Sequence, residues 1–295
     1  MKIGLTARFG DKDAIDVGYV RAFAQTVEAA GFDSLWVPEH IVFFSKYTSR
    51  YPYHPDGVPP FGTDIGLFDS LLVFAAMSQV TTRLRFATSV MVLPERPALL
   101  TAKEIMTLDH LTEGRYMLGV GSGWSSEEYE ALGVSFARRG KRFDEYIRAI
   151  RTAWREDNAS FHGEFVNYDN LVLLPRPYTP GGPPFLIGGD SEPAMKRAVT
   201  LGDGWYSWWR GYDLEPHMDA FRAVAEAAGR DIDKDFHLVI GTPHRGEAPD
   251  ALAGKADAIR AQGAKEMVLA LDIGRATLEA DVRRWADILG VKAPA

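Results

Sequence analysis

The sequence predicts a (β/α)8 barrel, with one insertion after the second strand and another before the fifth. Three observations carry that reading. Short β-like runs alternate with longer amphipathic segments through about eight strand–helix units, and strict alternation implies parallel strands joined by right-handed crossovers. The chain has 295 residues, more than the roughly 250 of a plain barrel, and two long irregular stretches account for the excess. No Gly/Ser-rich linker and no shift in composition divides it, so a single domain over residues 1–295 is expected. An open doubly wound sheet also satisfies the alternation; eight units over this length favour the closed barrel.

The elements follow in order. Ile3 to Phe9 has strand composition. Between Ala14 and Ala30, Val17, Val20, Phe23, Ala24 and Val27 recur at the three-and-four spacing of one helix face, which stops at Gly31. Ser34 to Pro38 is the second strand, Leu67 to Val80 is helical in period, and Leu84 to Leu93 reads as one long third strand. Pro97 suits the first turn of a helix reaching Leu111. Tyr116 to Val120 is the fourth strand, followed by helical Ser125 to Leu132 and Arg139 to Glu156. The second half continues with strands at Phe185 to Ile187, Trp205 to Trp208, Phe236 to Thr242 and Met267 to Asp272. Helices at Glu192 to Leu201, Leu214 to Ala228, Pro249 to Gln262 and Thr277 to Leu289 separate and close them. The first insertion, Ile41 to Gly66, is rich in Tyr, Phe and Pro; the second, Asn158 to Pro184, has room for a hairpin. A loop that follows a barrel strand lies on the catalytic face, so the first insertion is placed to act as a lid.

Composition removes several classes of function. A net charge of −7 offers no bulk attraction for nucleic acid or an anionic membrane. No cysteine is present, which excludes disulfides, thiolate metal sites and a thiol nucleophile. No apolar run is long enough to span a bilayer, and the opening Met-Lys-Ile-Gly reaches a charge too early for a secretion signal; a cytoplasmic location is expected. The seven histidines show no H-x-H or H-E-x-x-H spacing, so no metal is expected. Aromatic residues make up 12%, with seven tryptophans, so their placement matters.

Strand ends are where barrel active sites are built. His40, ending the second strand, is a candidate proton-transfer group, although a hydrogen-bonding loop histidine is the commoner meaning. Gly188-Gly189-Asp190-Ser191-Glu192 joins the fifth strand to a helix, and its backbone N–H groups and helix dipole suit a phosphate; a plain glycine turn fits equally. Gly121, Ser122 and Gly123 leave room for a flat group beside the backbone. Trp124 stands where a dinucleotide fingerprint would need its third glycine. Trp205, Trp208 and Trp209 either line an apolar pocket or cap the core. Arg138 to Arg142 forms the one dense basic run. Glu39, Glu95, Glu127, Glu128 and Asp272 also lie near strand ends, where two of them would make a glycosidase acid–base pair.

Together these segments resemble the bacterial luciferase-like flavin and deazaflavin oxidoreductases. The likeness runs through Asp33-Ser34-Leu35-Trp36-Val37-Pro38-Glu39-His40, Thr88 to Pro94 and Thr107-Leu108-Asp109-His110-Leu111-Thr112-Glu113-Gly114-Arg115. It continues through Leu118 to Trp124, Pro184 to Gly189 and Gly202-Asp203-Gly204-Trp205. The loop Tyr47 to Tyr53 looks like a subgroup using coenzyme F420. The resemblance implies a deazaflavin at the strand C-termini, with FMN as the alternative. Its phosphate would lie on Gly188, Gly189, Asp190, Ser191 and Glu192, with Gly121, Ser122 and Gly123 along the cofactor. It also implies a non-proline cis peptide at Ser89-Val90, making Ser89, Val90 and Val92 cofactor contacts. His40 matches a proton-transfer histidine, Glu39 an acidic cofactor contact and Glu127 an amide-bearing one. Trp124 replaces a catalytic glutamate of the sugar-phosphate dehydrogenases, and no basic cluster follows Gly204. An apolar or aromatic small-molecule substrate is therefore expected, against Tyr51, Trp124, Trp205 and Trp208. A homodimer and a separate reductase supplying reduced cofactor are the expected partners. An FMN-dependent two-component monooxygenase, a barrel glycosidase and a non-catalytic flavin-binding protein are the competing readings.

Overall fold

The computed structural model describes residues 1–11, 16–59, 61–62 and 64–293. Strand β1 (Lys2–Thr6) leads to helix α1 (Val17–Ala29), followed by β2 (Ser34–Val37), α2 (Ser70–Ser78), β3 (Arg85–Thr88) and β4 (Met91–Val92). The chain continues as α3 (Ala98–Leu111), β5 (Tyr116–Gly121), α4 (Ser126–Ala131), α5 (Arg139–Arg155) and the strands β6 (Ala159–His162) and β7 (Asn167–Leu171). It ends with β8 (Phe185–Gly188), α6 (Glu192–Leu201), β9 (Gly204–Trp208), α7 (Leu214–Ala227), β10 (His237–Pro243), α8 (Pro249–Ala261), β11 (Glu266–Ala270) and α9 (Leu278–Leu289).

All strands except β6 and β7 belong to one parallel sheet, which closes because β1 pairs with both β2 and β11 while β3 and β4 both pair with β5. This is the expected (β/α)8 barrel, with β3 and β4 as two halves of its third stave. The single long third strand was one element too simple: a cis peptide at Ser89–Val90 breaks it, and a 3-10 turn, Leu93–Glu95, follows β4. The second insertion does hold a hairpin, β6 against β7. Helix α1 begins at Val17 after an Asp16 cap that accepts from the Tyr19 N–H at 3.2 Å; the expected first positions Ala14 and Ile15 lie outside the described residues. Pro60 and Thr63 of the first insertion, and Pro294 and Ala295 of the expected domain span, do as well.

Alternation along each strand divides the core into two shells. Outward residues such as Leu35, Phe185 and Trp205 pack under the helices. Inward residues fill the barrel, among them Trp36, Met117, Leu186, Tyr206 and Val239, with Trp36 stacked on Tyr206 at 4.9 Å. At the N-terminal end of the strands, Glu266 is fully buried yet surrounded by donors. Arg85 Nη2 lies 2.6 Å away, Trp36 Nε1 3.1 Å and His237 Nε2 3.0 Å, and the Ser34 hydroxyl completes the set. Burial pushes this carboxyl up, but His237, Arg85 and Ser34 outweigh it and hold it at about 2. The barrel floor is therefore a closed ionic plug. Among the described residues no helix is long and apolar enough to cross a membrane.

Candidate active site

His40 leaves the end of β2 at the opposite, C-terminal rim, with its side chain 15% exposed. Nδ1 lies 2.6 Å from Glu128 Oε2, and Nε2 lies 3.4 Å from Trp124 Nε1. An indole nitrogen only donates, so Nε2 is the acceptor and the proton sits on Nδ1, donated to Glu128. Glu128 is buried, and its other oxygen accepts the N–H groups of Ile41 at 2.6 Å and Val42 at 3.3 Å. One carboxylate thus fixes the histidine tautomer and the root of the first insertion together. Around the imidazole stand Phe43, Phe61 and Trp124, with ring centroids 5.2, 6.0 and 5.8 Å away.

Two further acids lie behind this dyad. Glu39 is buried, accepting from Ser70 Oγ at 2.5 Å and Arg96 Nε at 3.3 Å; burial pushes it up against the pull of Arg96 and Ser70. Its expected cofactor contact would have to coexist with both donors. Glu95 is 4% exposed, and neither carboxyl oxygen has a hydrogen-bond partner among the described residues. Burial, reinforced by the Glu128 and Glu39 charges, raises it to about 9, so it stays protonated at neutral pH.

The cis peptide falls at Ser89–Val90, the position implied by the resemblance. The bulge explains the neighbouring glycines. A Cβ on Gly121 would come within 2.9 Å of Val90 Cγ2, one on Gly188 within 2.8 Å of Val90 Cγ1, and one on Gly123 within 2.6 Å of Val92 Cγ1. The room beside Gly121 and Gly123, read from sequence as space for a flat ligand, is taken by these valines, and so is that beside Gly188 of the expected phosphate turn. The Ser122 carbonyl accepts the Tyr129 hydroxyl at 2.8 Å. The surface the site offers there is Val90 itself, half-buried above the inner shell, beside Ser89.

At the β8–α6 turn, Gly189 has φ +114°, donates its N–H to the Tyr206 carbonyl at 3.2 Å and receives Trp205 Nε1 on its own carbonyl at 2.8 Å. Its N–H is therefore engaged, and the anion-binding capacity of the turn rests on the N–H groups that open α6. Ser191 caps that helix through the Ala194 N–H at 3.4 Å. Glu192 is exposed and pairs with Lys196 at 2.6 Å, so its side chain is committed to the surface. Asp190 Oδ1 accepts from Ser207 Oγ at 2.8 Å and lies 3.6 Å from His217 Nε2.

The expected substrate residues separate. Tyr51 and Trp124 meet at 5.1 Å in the lid cluster, and Trp208 points inward against the barrel interior. Trp205 does not reach the mouth: it is fully buried and stacks on Phe221 of α7 at 4.0 Å. Strand alternation decides this, since Trp205 is one residue out of phase with the inward Tyr206 and Trp208. Glu127 has a role other than the expected one. Its Oε1 accepts from Thr48 N at 2.5 Å, Thr48 Oγ1 at 2.7 Å and Ser49 N at 3.0 Å, and these donors overcome burial to hold it far below the ordinary carboxylate range. It ties the lid to α4. The basic run is likewise absorbed locally, with Arg138 on Glu164, Arg139 over the Phe136 ring at 3.9 Å and Arg142 on the Ser135 carbonyl at 2.6 Å.

Sequence reasoning put Glu128 among the acids near strand ends but did not pair it with His40, because no spacing rule links two residues 88 positions apart. Ser125 caps the Glu128 N–H at 3.2 Å, and the carboxylate reaches across to His40. Arg96 was also missed, and Arg210 was noted only as a neighbour of the tryptophans at the sixth strand end; a single arginine carries no spacing signal.

The architecture agrees with comparison to known proteins. A family model for luciferase-like monooxygenases matches residues 1–289. The chain belongs to the luciferase-like monooxygenase family. An uncharacterized protein of Mycobacterium tuberculosis is 36% identical over 234 residues, covering 79% of this chain and 80% of that one. The FMNH2-dependent dimethylsulfone monooxygenase of Pseudomonas putida is 26% identical over 277 residues, covering 88% of this chain and 71% of that one. The coenzyme F420-dependent tetrahydromethanopterin reductase of Methanopyrus kandleri shares the fold, with a TM-score of 0.74 at 14% identity over 98% of both chains. The Pseudomonas putida relative is named for its dependence on FMNH2, and the Methanopyrus kandleri protein that shares the fold for its dependence on coenzyme F420.

Proposed function

We propose that the protein moves a hydride between reduced coenzyme F420 and a flat, apolar or aromatic small molecule bearing a carbonyl or unsaturated bond. The observation that carries this reading is His40: its tautomer is fixed by Glu128, and its Nε2 lone pair is held within an aromatic box by only one long contact, from Trp124. A bound deazaflavin supplies the hydride chemistry. His40 Nε2 takes or gives the accompanying proton, and Glu128 stabilises the imidazolium that forms when it takes one. The residues present fit such a group. Val90 offers an apolar surface for a ring, and the start of α6 offers N–H groups for a phosphate. Phe43, Tyr51 and Phe61 of the lid exclude water, and Glu127 holds the lid down. A separate reductase that regenerates reduced cofactor belongs to this reading.

Titrating the protein with F420 and with FMN, and following quenching of ring fluorescence, tests the cofactor. Quenching by F420 supports the proposal; tight FMN binding without an F420 response replaces it with an FMN-dependent monooxygenase, the activity of the Pseudomonas putida relative. His40→Asn is expected to lower turnover by about 10²–10⁴ while leaving cofactor affinity within about twofold. Equal losses of both would make His40 a binding residue only.

A further inference from the structure

Arg210 follows β9 and lies beneath the lid, its guanidinium carbon 5.2 Å from the centre of the Tyr53 ring. The side chain is half-buried, and Nη1 is buried without a hydrogen-bond partner among the described residues. Asp190, a nearby carboxylate, does not neutralise it. Its Oδ1 is held by Ser207 beside His217, while Oδ2 is likewise buried and unpartnered. Both charges act on the same hydroxyl, that of Tyr53, Asp190 and Arg210 pulling it in opposite directions while the side chain stays 37% exposed. Two opposite charges therefore sit under one lid, each with a buried atom lacking a partner. A buried donor on a charged group is costly to leave unsatisfied, which marks it as a place where a ligand supplies the acceptor.

The same arginine is continuous with the aromatic box. Tyr53 meets Tyr51 at 5.4 Å, Tyr51 meets Trp124 at 5.1 Å, and Trp124 reaches His40. We propose that Arg210 receives an oxyanion, a carboxylate or phosphate, carried by a ligand whose flat body lies in the aromatic box. A guanidinium presents paired planar donors that match either group, whereas the aromatic walls offer none. This deepens the functional reading above and rests on its claim that the box holds the ligand. The ligand is then apolar in its body and anionic at the end away from His40. The oxyanion comes either from the substrate or from the phosphate of the cofactor.

Four probes separate the sources: benzoate against uncharged benzyl alcohol by calorimetry, and FMN against riboflavin by fluorescence quenching. Wild-type protein is expected to prefer the anionic member of at least one pair by about tenfold or more, and Arg210→Gln to erase that preference. Loss confined to benzoate assigns the oxyanion to the substrate; loss confined to FMN assigns it to the cofactor. Arg210→Lys, which keeps the charge, restores most of the preference and shows that a lost fold is not the cause. Wild-type protein with no preference in either pair, or Arg210→Gln with both preferences intact, overturns the proposal. Failure of wild-type protein to bind any flavin or F420, with the benzoate pattern intact, sinks the cofactor assignment and upholds the oxyanion site.

Discussion

Glu266 at the barrel floor and Glu95 at the rim are buried to nearly the same extent, 0% and 4% exposed, yet they sit at opposite ends of the carboxyl range. Glu266 is held at about 2 by His237, Arg85 and Ser34, whereas Glu95, without a hydrogen-bond partner among the described residues, is pushed to about 9. Burial is the largest influence on both, so the neighbours decide which side of neutrality each takes: donors and cations around Glu266, the like charges of Glu128 and Glu39 beside Glu95. At the floor both oxygens of the Glu266 carboxylate are partnered, and among the described residues the buried atom left over there is Arg85 Nε. Among the described residues the rim leaves more: both oxygens of Glu95, one of Asp190 and a nitrogen of Arg210 are buried without a partner, which suits a surface shaped for a ligand.

Glu266→Ala tests the floor most severely. It leaves Arg85 and His237 facing a buried void and is expected to cost about 3–5 kcal/mol in guanidinium unfolding. Wild-type stability should also fall as pH drops from about 5 toward 2, because the folded carboxyl is depressed and its contribution is present only above the unfolded value. A loss below about 1 kcal/mol in Glu266→Ala would show that the plug is ornamental.

Glu95→Gln probes the rim with the opposite sign. The folded carboxyl is raised, so the folded state binds a proton that the unfolded state has released, and wild-type stability falls as pH rises from about 5 toward 9. The glutamine variant removes that slope and should gain on wild type by up to about 1.4 kcal/mol per pH unit across this window, read from unfolding at pH 5 and pH 8. Parallel curves would mean that Glu95 is ionised in the folded protein and has a partner. The smallest effect is expected at Glu127→Gln, where weaker acceptance from Thr48 and Ser49 should leave global unfolding nearly unchanged. Trypsin cleavage at Lys46 or Arg50 should accelerate by about threefold to tenfold as the lid opens more often. An unchanged cleavage rate would place the lid anchor elsewhere.

Much of this was legible in the chain itself. The helix faces follow from local pattern, although the first helix was begun at Ala14, ahead of the Asp16 cap. The resemblance also placed the cis peptide at Ser89–Val90. Trp205 and Trp208 show where the pattern was available and not used, since alternation along one strand sends the first to Phe221 and the second to the mouth. Gly121 and Gly188 show where it was insufficient: a glycine signals close approach but does not name what approaches, and here it is Val90.

The sequence by itself determined the alternating strand–helix order, the lack of thiol chemistry and the placement of chemistry-bearing residues at strand ends, because each depends on spacing or residue type. Only the tertiary structure decided the partners. Glu128 meets His40 across 88 positions, Glu266 meets Ser34 across 232, and Arg210 meets the Tyr53 ring of the lid. Closure of the barrel brings those pairs together, and the partner each buried group finds, or lacks, fixes its charge and therefore its task.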